Sequence, residues 1–373
     1  MARTRGRRGG WLLALASLVL CLGALEAGMR IYFRKQSQHL ALVQGDAYYY
    51  TELDGERRHI PGRSAQGPHW DGKGLVEYRV NARGFLDDEL PEVKPAGERR
   101  VLVLGDSVVM AGKIHRKDTF VERLEPALSG ALGAPVEAIN AGIGDTGLSS
   151  AHRVLVEQGF AAKPDLVLLG VYLNDSRPPL GFADEQLLEH PMMRALRTWP
   201  LLRRSYLANF TVFKLYQLGV ARRGRRASVS QRFAWVDEYR ARRWLEDPEA
   251  LERLVRLARY DWGAAWAPEE MESLLSWIEK IRQACAARKV RFAVMLFPVD
   301  VQLAGRAGWK GIGRPQQALR FFLERSGVPF LDFRDPFKGK NVAKLYYDHC
   351  HLTPDGHAEA AKALRPFLAS LLK

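Results

Sequence analysis

The chain has 373 residues, 47% of them apolar, and a net charge of +14. That length suggests two domains, or one domain with a long insertion, and the apolar content can fill a large core. Residues 1–35 carry about +6 and residues 194–260 about +10, so the remainder is slightly acidic; this excludes a basic nucleic-acid surface spread over the fold.

The chain opens MARTRGRRGG and continues WLLALASLVLCLGALEAGM over 11–29. An apolar run of that length crosses a bilayer core of about 30 Å as a helix. Arg3, Arg5, Arg7 and Arg8 precede it, so the positive-inside rule assigns 1–10 to the cytoplasm and the bulk to the far side. The run reads as an uncleaved signal anchor, because no small-x-small site follows it; a cleaved signal peptide is the runner-up. Cys21 falls in this anchor, which leaves Cys285 and Cys350 for the exported part. An oxidising compartment permits that pair, but spacing alone does not establish its geometry.

Residues 30–97 read as a membrane-proximal connector, rich in Gly, Pro and charge, with a short strand near Val76–Val80. The pattern changes at ERRVLVLGDS, where Val101–Leu104 form a continuous apolar run ending at a glycine turn. Such a run is the signature of a strand buried on both faces. Residues 118–132 predict a helix with Asp118 as N-cap. PVEAINAG predicts a second strand, SSAHRVLVEQGF a second helix and PDLVLLGVYLND a third strand. The rhythm resumes with a helix at MESLLSWIEKIRQACAARK, strands at VRFAVMLFP and VPFLDF, and a closing helix at TPDGHAEAAKALRPFLASLL. Alternating strands and helices predict an α/β fold on a parallel sheet. Between the halves, residues 176–270 form an arginine-rich insertion read as mostly helical. Its segment 201–226 mixes apolar and basic residues, which suits either an anionic membrane surface or a solvated face over its own core.

Active sites of open α/β sheets lie beyond the carboxyl ends of the strands. Here those ends carry Gly105-Asp106-Ser107, then Asn140 with Gly142, Gly144 and Asp145, then Asn174-Asp175. The loop YYDHCH before the closing helix adds Asp348 and His351. A serine attacks a carbonyl only when a base takes its proton, and a carboxylate holds that base in its working tautomer. Ser107 fits the nucleophile, His351 the base and Asp348 its partner. The backbone near Ser107 and Gly144 and the amide of Asn174 are candidate oxyanion donors.

These residues resemble the four blocks of the SGNH (GDSL-type) hydrolases, in that family's order: Ser, Gly, Asn, then Asp-x-x-His near the end. The likeness covers roughly 98–175 and 271–371. Asn81-Ala-Arg-Gly84-Phe85-Leu-Asp87 is similar to a segment upstream in membrane-anchored bacterial members. The resemblance implies a flavodoxin-like three-layer α/β/α sandwich (the SGNH hydrolase fold) over 98–373. It implies hydrolysis or transfer of an ester-linked acyl group by Ser107, Asp348 and His351, with Gly144 and Asn174 in the oxyanion hole. No cofactor is implied. The chain departs from the family at Val109, where many members have Thr, and at Gly170, which lies four rather than two residues before Asn174.

The remaining polar residues are assigned to structure. Asp106 and Asp175 read as turn residues, and Lys113, His115 and Arg116 as solvated loop charges. His152 reads as a helix-surface residue. His349, Cys350, His351 and His357 lack the paired spacing of a zinc site. Thr353-Pro354 suits a helix start and puts His357 inside the helix. The leading expectation is a membrane-anchored serine esterase of the bacterial inner membrane, facing the periplasm. The alternatives are an O-acyltransferase acting on an exported polysaccharide and a binding protein with a degenerate pocket. The expected partners are an acyl-ester substrate, which can be carbohydrate-linked, and the membrane.

Overall fold

In the computed structural model the described residues are 4–35, 49–51, 57–59, 61–175, 233–305 and 308–373, with scattered positions between 199 and 215. Most of the connector before 57 and most of 176–232, including the basic amphipathic segment, lie outside the described residues. Contacts divide the chain into two units.

The first unit contains helix α1 (Thr4–Lys35). Its stretch Gly10–Ile31 is 22 residues long and apolar enough to cross a membrane, about 33 Å at 1.5 Å per residue. Trp11, Leu13 and Leu20 on it are largely exposed. Near the far end of the stretch, Glu26 accepts hydrogen bonds from Ser205 Oγ and the Leu207 N–H, each 2.9 Å long. It also pairs with Arg30 at 2.7 Å.

The second unit is built on a hairpin and a sheet. Strands β1 (Ser64–Pro68) and β2 (Leu75–Arg79) pair antiparallel. The sheet comprises β3 (Arg99–Gly105), β4 (Val136–Gly142), β5 (Leu166–Val171), β6 (Arg291–Leu296) and β7 (Phe330–Asp332). All pairings are parallel, in the order β4-β3-β5-β6-β7. This is the flavodoxin-like doubly wound order, whose crevice opens beside the first strand, where the winding reverses. Every residue of β5 is buried, as is β3 from Arg100 onward, in keeping with their unbroken apolar sequence. Helices α3 (Phe120–Leu132) and α9 (Pro354–Leu372) pack together as one layer, and α4 (Leu148–Glu157) packs with α7 (Pro268–Ala287) as the other. The three-layer α/β/α sandwich is therefore present.

Four local findings refine the sequence reading. The N-cap of α3 is Thr119, which accepts from the Glu122 N–H, rather than Asp118. Asp118 closes a short 3-10 turn and pairs with Arg123. Helix α8 (Arg314–Arg325) occupies the β6–β7 crossover; its sparse apolar positions, with Leu319 and Leu323 inward, hid it from the hydrophobic pattern. The second half of the insertion is helical, with α5 (Trp235–Ala241) and α6 (Pro248–Leu257). It packs into the core of this unit through Trp235, Trp244, Leu251 and Trp262.

The connector divides as well, because 57–98 belong to the folded unit. Asn81 organises a tight turn: its Oδ1 accepts from the N–H groups of Arg83 and Phe85. Gly84 there has φ +86°, a left-handed conformation that favours glycine. The turn buries Phe85 completely. It also brings Asp87 onto the outer edge of β4, where Leu86 N–H donates to Asn140 O and Asp87 Oδ2 accepts from Asn140 N–H. Arg116 pairs with Asp87 at 2.7 Å and with Asp88 and Glu122. It is an anchoring residue, not a solvated charge.

Three glycines set how a short helix, α2 (Ser107–Met110), lies on the sheet. A Cβ on Gly105 would sit 2.4 Å from Val109 Cγ2, and one on Gly170 2.5 Å from the same atom. A Cβ on Gly142 would meet the backbone, 2.5 Å from Met110 N and 2.9 Å from Val109 C. Adjacent strands β4, β3 and β5 thus all present a bare backbone to α2. Gly142→Ala is expected to destabilise the protein by about 1–3 kcal/mol, since only main-chain movement relieves the overlap. Gly130→Ala, in open space on the exposed face of α3, is expected to stabilise it by about 0.5–1 kcal/mol. Urea melts of both variants check the pair, and equal effects would refute the packing argument.

Candidate active site

Ser107 begins α2 immediately after β3. The N-cap Asp106 accepts from the Val108 N–H through Oδ1 at 2.9 Å, so the helix starts abruptly. The Asn140 side chain ties α2 to β4: its Nδ2 donates to Val109 O, and its Oδ1 accepts from the Gly142 N–H. Ser107 is thus fixed at the carboxyl edge of the sheet.

The candidate base comes from the other end of the chain. Residues 346–352 form a narrow loop closed by the Tyr346–Leu352 bridge and by the Tyr347 N–H donating to His351 O. Asp348 Oδ1 accepts from the N–H groups of both Cys350 and His351 at 2.9 and 2.7 Å. Its Oδ2 lies 2.7 Å from His351 Nδ1. One carboxylate therefore shapes the loop and holds the imidazole. His351 Nε2 lies 2.9 Å from Ser107 Oγ. These partners assign the ring proton to Nδ1 and leave the Nε2 lone pair facing the serine.

The electrostatics follow from that arrangement. Burial opposes the charge on Asp348, but the hydrogen bond and charge of His351 outweigh it and hold the carboxyl well below its ordinary range. Burial likewise opposes an imidazolium, yet Asp348, with help from Asp106, raises the His351 pKa above its ordinary value. Burial pushes Asp106 up to about 6.

The expected oxyanion donors occupy the same edge. Gly144 borders the serine, since a Cβ built on it would lie 3.9 Å from Ser107 Cβ. Its N–H donates to Met110 Sδ at 3.1 Å, a weak acceptor that an oxyanion would readily displace. Asn174 follows β5, the neighbour of β3, in a turn closed by Asp175 N–H donating to Tyr172 O. Asp175 is buried and accepts from the Tyr172 N–H through Oδ2, as a turn residue should.

Other expectations resolve plainly. His357 is buried and accepts from the Phe120 N–H through Nδ1 at 3.2 Å, which satisfies the first amide of α3. Burial pushes its pKa down to about 3. Thr353 caps α9. Cys285 and Cys350 are both buried and both free, so they form no disulfide. His152 is half-buried against Trp277.

Sequence reasoning missed an aromatic stack. Tyr347 lies parallel to His351, with centroids 5.5 Å apart and planes at 10°, and Trp70 covers Tyr347 at 5.9 Å. Trp70 belongs to the turn between β1 and β2 and donates its main-chain N–H to Lys113 O. Nothing in a lone tryptophan among glycines marks it. Asp348 also walls a cavity of about 360 Å³, lined among others by Tyr239, Arg242, Trp244 and Asp300.

Residues 101–364 match the sequence profile of the family described as GDSL-like lipase/acylhydrolase. No curated protein matches the chain. Among solved structures, an acetyl xylan esterase is 12% identical over 71% of this chain and 97% of its own, with a TM-score of 0.40. An acetylxylan esterase from Geobacillus stearothermophilus is 13% identical over 74% of this chain and 96% of its own, TM-score 0.40. An alpha/beta hydrolase from the metagenome of Lake Arreo, Spain, is 14% identical over the same shares, TM-score 0.39.

The geometry around His351 is directly testable by NMR titration of its ring nitrogens. The ring is expected to titrate above the ordinary value of about 6.5. In Asp348→Asn the larger raising influence is gone, and burial outweighs what Asp106 still supplies, so the pKa is expected to fall below 6.5. An unchanged titration would show that Asp348 does not act on the ring.

Proposed function

We propose that the chain, which belongs to the GDSL-like lipase/acylhydrolase family and is a hydrolase acting on ester bonds, works through Ser107, His351 and Asp348. The observation that carries this reading is the continuous run of contacts from Ser107 Oγ through the His351 ring to Asp348. Ser107 Oγ attacks the ester carbonyl while His351 Nε2 takes its proton. The imidazolium so formed is stabilised by Asp348, which stays ionised throughout. Negative charge gathers on the carbonyl oxygen, where the N–H groups of Ser107 and Gly144 and the Asn174 amide are the donors at hand. The amide of Ser107 opens a helix, so it has no acceptor within that helix. Collapse expels the alcohol, which receives the proton from His351, and water then repeats the sequence on the acyl-serine.

Membrane attachment is part of the proposal. It is supported by the apolar stretch Gly10–Ile31 and the arginines before it, which favour a cytoplasmic N-terminus and a catalytic unit on the periplasmic side. Glu26 adds support. Its bonds to Ser205 and Leu207 give a carboxylate in the apolar stretch the donors it would need in lipid. A second reading, acyl transfer to a sugar hydroxyl, is favoured by the cavity beside Asp348. Its aromatic and arginine lining suits a polyol acceptor competing with water for the acyl-enzyme.

Wild-type protein in detergent is expected to take up a fluorophosphonate probe and to turn over nitrophenyl acetate. Ser107→Ala should abolish labelling, and His351→Ala should lower turnover by about 10³-fold or more. Labelling that persists in Ser107→Ala would overturn the assignment. Acyl-sugar formation from candidate glycans would favour transfer over hydrolysis. Release of the protein from membranes by alkaline carbonate would sink the anchor.

A further inference from the structure

Asp348, Cys350 and His351 offer three different donor atoms, a carboxylate oxygen, a sulfur and a ring nitrogen, all within 4.8 Å of one another. They are the only such trio of metal-ligating side chains among the described residues. Cys350 Sγ already lies 3.3 Å from His351 Nδ1. Donors on one tetrahedral Zn²⁺ sit about 3.3–3.6 Å apart, given bonds of about 2.0–2.3 Å. The sulfur and nitrogen are therefore almost in place. The 2.7 Å contact between Nδ1 and Asp348 Oδ2 would have to open by about 0.6 Å. Asp348 forms part of the wall of the 360 Å³ cavity, so one of the three donor residues borders open space.

We propose that Asp348, Cys350 and His351 form an inhibitory site for a thiophilic divalent cation such as Zn²⁺, which switches off the base by inverting its tautomer. Binding needs only the donor trio; its consequence for turnover rests on the catalytic reading above. In the working state Nδ1 carries the ring proton and Nε2 the lone pair. A cation on Nδ1 uses the lone pair of that nitrogen, so the single ring proton moves to Nε2. The Cys350 thiol gives its proton to solvent as sulfur enters coordination. One cation is bound, one proton is released, and nothing is oxidised or reduced. Nε2 then faces Ser107 as an N–H and has no lone pair to accept the hydroxyl proton. Hard cations that prefer oxygen ligands gain little from sulfur and imidazole, so Mg²⁺ should leave the enzyme unaffected.

His69 and His115 form the natural control. Their rings stack at 5.0 Å and His69 bonds Asp71, so they could attract the same cation elsewhere. The test uses full-length protein in detergent, stripped with chelator and titrated with Zn²⁺ or Co²⁺. Co²⁺ is expected to give a thiolate-to-metal charge-transfer band, absent in Cys350→Ala and in the better-packed Cys350→Ser. Zn²⁺ is expected to slow ester turnover, with the half-inhibiting concentration at least tenfold higher in the Cys350 variants, each measured against its own metal-free rate. His115→Ala should keep the wild-type value. No band in the wild type, or equal inhibition with and without the Cys350 sulfur, would overturn the proposal. The band is read without turnover, so it tests the site even if Ser107 proves inert. Ser107-dependent turnover in chelator bears on the catalytic reading alone.

Discussion

Helix α2 rests against the strand ends only because Gly105, Gly142 and Gly170 carry no side chains. Each lies on a different strand, and the three strands are neighbours. A Cβ at Gly142 would strike the backbone of α2, so the helix and Ser107 would have to move, and one at Gly105 or Gly170 would collide with the Val109 side chain that α2 lays on the sheet. The serine hydroxyl meets an imidazole delivered from 244 residues away. A hydrogen bond tolerates a few tenths of an ångström, not a shifted helix. The bare backbone at this edge thus comes before every contact of the site, and Asn140 secures α2 against it through its bond to Val109 O.

The same fact explains what the sequence made legible. The strands were readable because burial on both faces demands unbroken apolar runs, and β3 and β5 have them. Ser107 was readable as a candidate because it ends a buried strand, and Asp348 and His351 because their three-residue offset on the loop before the closing helix suits a base and its carboxylate partner. Gly170 was harder. In a linear pattern it looks like a displaced member of the Asn174 block; in three dimensions it answers to Val109, on another segment. The residue that departs from the family's usual Thr is the one whose branched side chain fills the space above two of these glycines.

What stayed hidden has a common cause. Trp70, Phe85 and Asp87 act on partners far along the chain, and no local periodicity announces such contacts. Residues 57–98 look like a linker because glycine, proline and charge dominate them. Their few buried groups are spaced by turns rather than by the period of a helix or strand. Helix α8 and the tryptophans of 235–266 went unassigned for a related reason: their apolar residues are sparse and their burial is set by neighbours. A pattern reader sees faces of regular elements and misses single side chains that plug a fold.

The segment around Asp87 has one further consequence. By bonding Asn140 it occupies the outer margin of β4, which would otherwise present free main-chain groups to any passing strand. The hydrolase core is therefore not the autonomous module that the family boundary near residue 101 suggests. A shortened chain beginning at 98 would uncover that margin, leave Arg116 with Glu122 but without Asp87 and Asp88, and take away the indole over Tyr347. It would be prone to self-association through the sheet before any question of catalysis arose. A form that keeps this margin covered has to begin near residue 57, so that the segment before the family boundary is also the segment that closes the fold.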